Sequence, residues 1–224
     1  MNRKFENRSK GFKIATLALA LVLVSGASVA GTLAWLTSET TKVTNTFTSA
    51  ELFGNPTNDF TLWEYQADLG ENGKYTLNTN KKVEGNAYDI LPGVNIPKNP
   101  TVDVVNLEEY AYLYIKVTGL PMTTGLRATI EDSNWKALDT TEYPGVYVYS
   151  GSYADASSHV IKATDEGKKT FTATILKDNQ IEVSDTYADK SDNISLSFQA
   201  YMVQATGNGN DAAGAWGNTY GKNN

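Results

Sequence analysis

The sequence predicts an all-β fold, an antiparallel β-sandwich of jelly-roll type with few short helices. Three observations carry that reading. Apolar residues alternate with polar or aromatic ones at a period of two along most of the chain. Thr, Tyr and Val recur throughout, and their branched or ring side chains suit a pleated, half-buried surface. Clusters containing Gly, Pro or Asn interrupt the alternation at short intervals, as turns between strands require.

The clearest strand runs from Tyr110 to Thr118. Ala111, Leu113, Ile115 and Val117 fall on one face, with Tyr110, Tyr112, Tyr114, Lys116 and Thr118 on the other. Phe171, Ala173 and Ile175 alternate with Thr170, Thr172 and Thr174. Ile194, Leu196, Phe198, Ala200 and Met202 alternate with Ser195, Ser197, Gln199 and Tyr201. Shorter strands are expected over Val43–Thr48, Asp59–Tyr65, Tyr75–Asn78, Thr101–Val105, Leu126–Glu131, Val146–Tyr149 and Gln180–Ser184. Glu71-Asn72-Gly73, Leu91-Pro92-Gly93, Gly119-Leu120-Pro121 and Pro144-Gly145 mark turns between them. A helix is expected over Asp211–Trp216 and a turn near Ser152–Ser158. The Gly- and Asn-rich stretch 207–224 reads as ending in a loose tail.

The start of the chain has a different grammar. Arg3, Lys4, Arg8, Lys10 and Lys13 precede an apolar run from Ile14 to Val24, and small residues follow at Ser25, Gly26, Ala27, Ser28 and Ala30. This is the three-part layout of a secretory signal peptide, with an apolar run shorter than the roughly 20 residues of a membrane-spanning helix. Small side chains allow cleavage after Ala30 or after Ala34.

The block Gly31-Thr32-Leu33-Ala34-Trp35-Leu36-Thr37, followed by Val43-Thr44-Asn45-Thr46-Phe47-Thr48, resembles the start of the TasA/camelysin family of Gram-positive bacteria. Leu91 to Val102 resembles that family's Pro-Gly segment before a central strand, and Phe198 to Ala205 with Ala215-Trp216 resembles its closing strand. The resemblance implies cleavage between Ala34 and Trp35 by a SipW-type signal peptidase. It also implies export to the extracellular matrix or cell surface, and assembly of the mature chain into biofilm matrix fibres. The chain then divides into a signal peptide (1–34), an N-terminal strand (35–53), a sandwich domain (54–206) and a C-terminal tail (207–224).

Trp35 to Phe53 contains no Pro or Gly and places Trp35, Val43, Phe47 and Phe53 at odd positions. Such a strand can add to a sheet edge of a neighbouring copy, and head-to-tail addition that does not close makes a filament. Equally, it can fold into its own sheet. The partners expected are therefore other copies of the chain and the signal peptidase, with further matrix proteins or polysaccharide as additional candidates.

Charge and composition narrow the function. Of 19 Lys/Arg and 25 Asp/Glu, residues 1–34 hold five and one, which leaves 14 basic against 24 acidic residues beyond the signal. An acidic surface of this kind disfavours nucleic acid as a partner. Cysteine is absent, so disulfides and thiolate metal sites are unavailable. Leu91-Pro92-x-x-Asn95 lacks the Thr-Gly, apolar helix and basic tail of a wall-sorting signal.

Chemistry is sparse, and no cofactor, metal or catalytic residue is expected. His159 is the single histidine, in a polar stretch that suits a surface turn. Without a His-Glu-x-x-His motif, a camelysin-like metalloprotease would need carboxylates for nearly all its ligands. The pairs Glu108-Glu109, Glu131-Asp132 and Asp165-Glu166 read as solvated charge, since neighbours along a strand point to opposite faces. Asp185, Asp189, Asp192 and Asn193 offer oxygens to calcium without the spacing of an EF-hand. The tyrosine face of 110–114, with Tyr147 and Tyr149, suits either cross-strand packing or a sugar-binding platform. A secreted carbohydrate- or adhesin-binding module is thus a further alternative.

Overall fold

The computed structural model describes residues 37–40, 45–46, 52, 56–162, 169–188, 194–207 and 211–221; side chains are described for all of these except 37–46 and 56–57. Among these residues thirteen strands and two helices follow in order: β1 (Thr37–Thr40), β2 (Asn45–Thr46), α1 (Pro56–Asp59), β3 (Phe60–Leu69), β4 (Tyr75–Val83), β5 (Ile96–Pro97), β6 (Thr101–Leu107) and β7 (Ala111–Thr118). Then come β8 (Leu126–Ile130), β9 (Trp135–Ala137), β10 (Val146–Tyr149), β11 (Lys169–Thr174), β12 (Leu176–Val183), β13 (Ser197–Gln204) and α2 (Ala212–Tyr220).

Every strand pairing is antiparallel. One sheet runs β2-β1-β13-β7-β10-β9, a second β11-β6-β3-β4 and a third β5-β12-β8. The chain is therefore an all-β antiparallel sandwich, as its period-two pattern predicts. Jelly-roll winding is a finer statement than these three ladders make. β13 and β7 form the spine of the first sheet, in register from Ser197 opposite Thr118 to Gln204 opposite Ala111.

The alternation of β7 sorts its residues as the sequence implies. Ala111, Leu113, Ile115 and Val117 join Ala200 and Met202 of β13 in the main core. Opposing them are Phe60, Val102, Val104 and Phe171 from the second sheet, and Ile181, Val183 and Leu126 from the third. Removing this apolar area from water, at about 25 cal/mol per Å², is the main favourable term in a chain without disulfides.

The other face of β7 decides between the two readings of its tyrosines in favour of packing. Tyr112 and Tyr114 are buried in a second cluster with Tyr143, Val146, Val148, Tyr201, Val203, Trp216 and Tyr220. The helix expected over Asp211–Trp216, inside the stretch read as a C-terminal tail, runs on to Tyr220 and supplies its lid. Asp211 caps α2 by accepting from the Gly214 N–H at 2.7 Å, and Gly221 at φ 76° follows its last turn. Ala212, Ala215, Trp216 and Tyr220 fall on one helix face and are buried. The first sheet is thus covered on both sides.

Strand boundaries also shift. β4 runs past its expected end to Val83, β12 begins earlier than expected at Leu176, and β9 and β5 were not expected as strands. β5 is only Ile96–Pro97, pairing with Ile181 and Gln180 of β12, because the prolines around it cannot donate to a ladder.

Candidate assembly site

β1 lies against β13, with Thr37 opposite Val203, Ser38 opposite Met202 and Glu39 opposite Tyr201. β2 folds back on β1 through Glu39 opposite Thr46 and Thr40 opposite Asn45. Of the two readings of the N-terminal strand, addition to its own sheet is the arrangement within this single chain. Ala34, Trp35, Val43, Phe47 and Phe53, together with the cleavage site, lie outside the described residues. Leu52 is buried in the main core, and its carbonyl accepts the Glu108 N–H at 3.2 Å. The N-terminal segment is therefore pinned at Leu52, while β1 meets the domain along a strand ladder.

The tyrosines do not form the open platform considered from sequence. Only Tyr110 stays exposed, at 45 %. Tyr114 is fully buried and donates its hydroxyl to the Ala212 carbonyl at 2.8 Å. Burial pushes its hydroxyl pKa well above the usual tyrosine range, with smaller contributions from Tyr112, Tyr220 and Asp211. Tyr147 and Tyr149 point to the opposite side of the sheet, into the main core. Tyr149 packs edge-on against Trp135 at 5.5 Å and stacks on Phe171 at 5.1 Å.

Half-exposed aromatics occur instead on the second sheet. Trp63 and Tyr65 of β3 meet edge to face at 4.8 Å. The Trp63 indole N–H donates to Asp103 at 2.7 Å, and the Lys82 ammonium lies 3.7 Å from the Trp63 ring centre while pairing with Asp103 at 2.9 Å. Thr172 donates to the other Asp103 oxygen at 2.9 Å.

A buried polar cluster is the feature that sequence reasoning missed. Glu64 of β3 is 3 % exposed and pairs at 2.9 Å with Lys98, itself 8 % exposed, between β5 and β6. Asn86 donates to the second Glu64 oxygen at 2.9 Å. The Tyr65 N–H donates to Asn99 Oδ1 at 3.0 Å, and Thr101 donates to the Asn99 carbonyl at 2.8 Å. Removing one member of a buried ion pair strands a charge and costs about 3–5 kcal/mol. Tyr88 donates to the Pro97 carbonyl at 2.9 Å, and its pKa is raised first by burial and then by the Glu64 charge.

The remaining chemical candidates stay apart. His159 sits at φ 61° in a turn held by Asp155, whose carboxylate accepts from Ser157 and Ser158. Glu131 accepts from the Ser133 N–H and hydroxyl, which lowers its pKa. Asp165, Glu166, Asp189, Asp192 and Asn193 lie outside the described residues. Among the described residues no group of three or more His, Cys, Asp or Glu side chains is placed to hold a metal, and no helix is long and apolar enough to cross a membrane.

No family model, curated protein or solved structure matches the chain.

Proposed function

We propose that this protein is a secreted structural subunit that self-assembles into extracellular, biofilm-matrix fibres by passing its N-terminal strand onto β13 of the next copy. The observation that carries the reading is the pairing of the first strand with the last, β1 on β13. An N-terminal strand laid on the spine of the largest sheet can be exchanged, with β2 still paired to it, for the same segment of a neighbour without altering the pairings of β13, β7, β10 and β9 to one another. Each copy then gives one strand and receives one, and the contact repeats head to tail. The signal peptide expected over 1–34 and cleavage at Ala34-Trp35 would free that strand only on export, at the surface of a Gram-positive cell. The resemblance to the TasA/camelysin family supports the same reading.

The test is expression of residues 35–224 with Trp35 as the free N-terminus, followed by light scattering and electron microscopy. Filaments that disappear when Trp35–Thr48 is removed are the expected result. A stable monomer under all conditions, or filaments from the truncated chain, overturns strand donation.

A second reading, a secreted carbohydrate-binding module, draws on the half-exposed Trp63 and Tyr65 on β3, because the Tyr112–Tyr114 face is closed by α2. Retention on a polysaccharide column that is lost in Trp63→Ala would favour it. A camelysin-like metalloprotease would instead show chelator-sensitive cleavage of casein that stays with the purified chain.

A further inference from the structure

Glu64 stands between an amine and a carboxamide. One carboxylate oxygen takes the Lys98 ammonium at 2.9 Å, and the other takes the Asn86 amide N–H at 2.9 Å. Both remaining polar positions of the Asn86 side chain are also fixed. Its Oδ1 accepts the Ala67 main-chain N–H at 2.8 Å, and its Nδ2 makes a second bond to the Tyr65 carbonyl at 2.9 Å. The Lys98 ammonium is nearly sealed from solvent, with the rings of Tyr88 and Phe198 centred 5.7 and 5.9 Å away. The Lys98 N–H donates to the Asn179 carbonyl at 2.8 Å, and Tyr88 holds Pro97, so the backbone that carries the amine is anchored from two sides.

We propose that Lys98 and Asn86 are joined by an intramolecular isopeptide bond, with Glu64 as the catalytic acid and base. Glu64 first takes a proton from the Lys98 ammonium. The neutral Nζ then adds to Cγ of Asn86, and the Ala67 N–H stabilises the negative charge that develops on Oδ1. Glu64 passes its proton to Nδ2 and accepts the second proton from Nζ. The Cγ–Nδ2 bond breaks, and ammonia leaves and collects the proton that Glu64 still holds. One alkylammonium and one carboxamide become one secondary amide and one ammonium ion. Glu64 ends as it began, and no oxidant or reductant is needed.

Two features make this site suited to the step. A carboxylate in contact with both reacting groups removes the need for diffusion between proton transfers. The pair is also nearly sealed from water, which excludes hydrolysis of the carboxamide as a competing reaction. The product would close residues 86–98 into a covalent ring that joins the β4–β5 connection to the end of β5. A chain without cysteine would thereby gain a staple that is indifferent to redox conditions.

The experiment is tryptic mapping of the purified full-length chain by mass spectrometry. In the linked protein Lys98 is no longer a trypsin site, so residues 83–116 stay together as one species, lighter than the sequence by one ammonia. Fragmentation should place the bond between Asn86 and Lys98. Separate peptides 83–98 and 99–116 at full mass overturn the proposal. So does ammonia loss confined to a 83–98 peptide cut normally at Lys98, which is a succinimide at Asn86. Lys98→Arg retains the charge opposite Glu64 and should restore full mass, and Glu64→Gln should leave the chain unlinked. Linkage that persists in Glu64→Gln removes Glu64 from the mechanism. The wild-type digest decides the matter even if a variant does not fold, and its result is independent of fibre formation.

Discussion

The Tyr114 hydroxyl donates to the Ala212 carbonyl at 2.8 Å, so the centre of the central strand is tied to the first turn of the C-terminal helix. The two residues are 98 positions apart and both are buried. Tyr114→Phe keeps the ring among its aromatic neighbours and deletes this bond alone. The expected loss is about 0.5–1.5 kcal/mol, measured by denaturant unfolding.

The same residue predicts an alkaline limb. Burial raises the Tyr114 pKa from an ordinary value of 10.0, and it raises those of Tyr88, Tyr112, Tyr147 and Tyr149 in the same direction. Above about pH 10 the unfolded chain releases protons that the folded chain retains, so the unfolded state binds fewer protons and stability falls as pH rises. The contribution is complete below the unfolded value and is lost as pH climbs through the folded one. Unfolding midpoints measured from pH 8 to 11 should decline, with a shallower slope in Tyr114→Phe.

Trp216 is the keystone of the second cluster. Its ring lies 5.2 Å from Tyr114, 5.0 Å from Tyr201 and 4.7 Å from Tyr220. Trp216→Ala should destabilise the protein by about 3–5 kcal/mol through the lost burial and the cavity left behind. The variant should also expose the Tyr112–Tyr114 face, and enhanced binding of an apolar fluorescent dye below the unfolding transition would report it. An unchanged midpoint would mean that α2 adds little to the fold.

This helix also marks the boundary of what sequence can show. Where one face of a strand enters an apolar core, period two reveals it, and the Ala111-Leu113-Ile115-Val117 row was legible for that reason. The Tyr112–Tyr114 row was equally visible, and so was the helix over Asp211–Trp216, but nothing in the sequence joined the two across 98 residues, and the Gly and Asn around the helix suggested a tail. The spacing of Ala212, Ala215, Trp216 and Tyr220 was the available signal, and the Asp211 cap its start. The Glu64, Asn86 and Lys98 cluster left no such trace. Its members lie on β3, the β4–β5 connection and the segment after β5, and a charge inside a strand reads as a solvent-facing position until the fold covers it. The N-terminal strand was readable as β-prone, but whether it pairs within or between chains depends on concentration as well as sequence.

Gly145 should resist substitution. Its φ is 76°, and a Cβ there would stand 2.5 Å from the Val117 carbonyl oxygen, next to the bond from the Val117 N–H to the Gly145 carbonyl at 2.8 Å. Gly145→Ala combines a left-handed backbone cost of about 1–2 kcal/mol with a clash against backbone that cannot swing aside. A lowered melting temperature with the β-sheet circular dichroism otherwise unchanged is expected.

Strand exchange can be read directly by introducing the only two cysteines in the chain. Thr37 and Val203 are register partners across β1 and β13, and opposite positions of an antiparallel ladder hold their Cα atoms about 4.5–5.5 Å apart, inside the range that a disulfide spans. In a dilute monomer, oxidation of the Thr37→Cys, Val203→Cys variant should give a single-chain species that migrates faster on non-reducing gels. If fibres form by donation of β1, oxidation after assembly should instead link successive copies into a ladder of covalent oligomers that collapses on reduction. Single-chain disulfides within intact fibres would show that β1 remains on its own β13, and assembly would then have to use another surface.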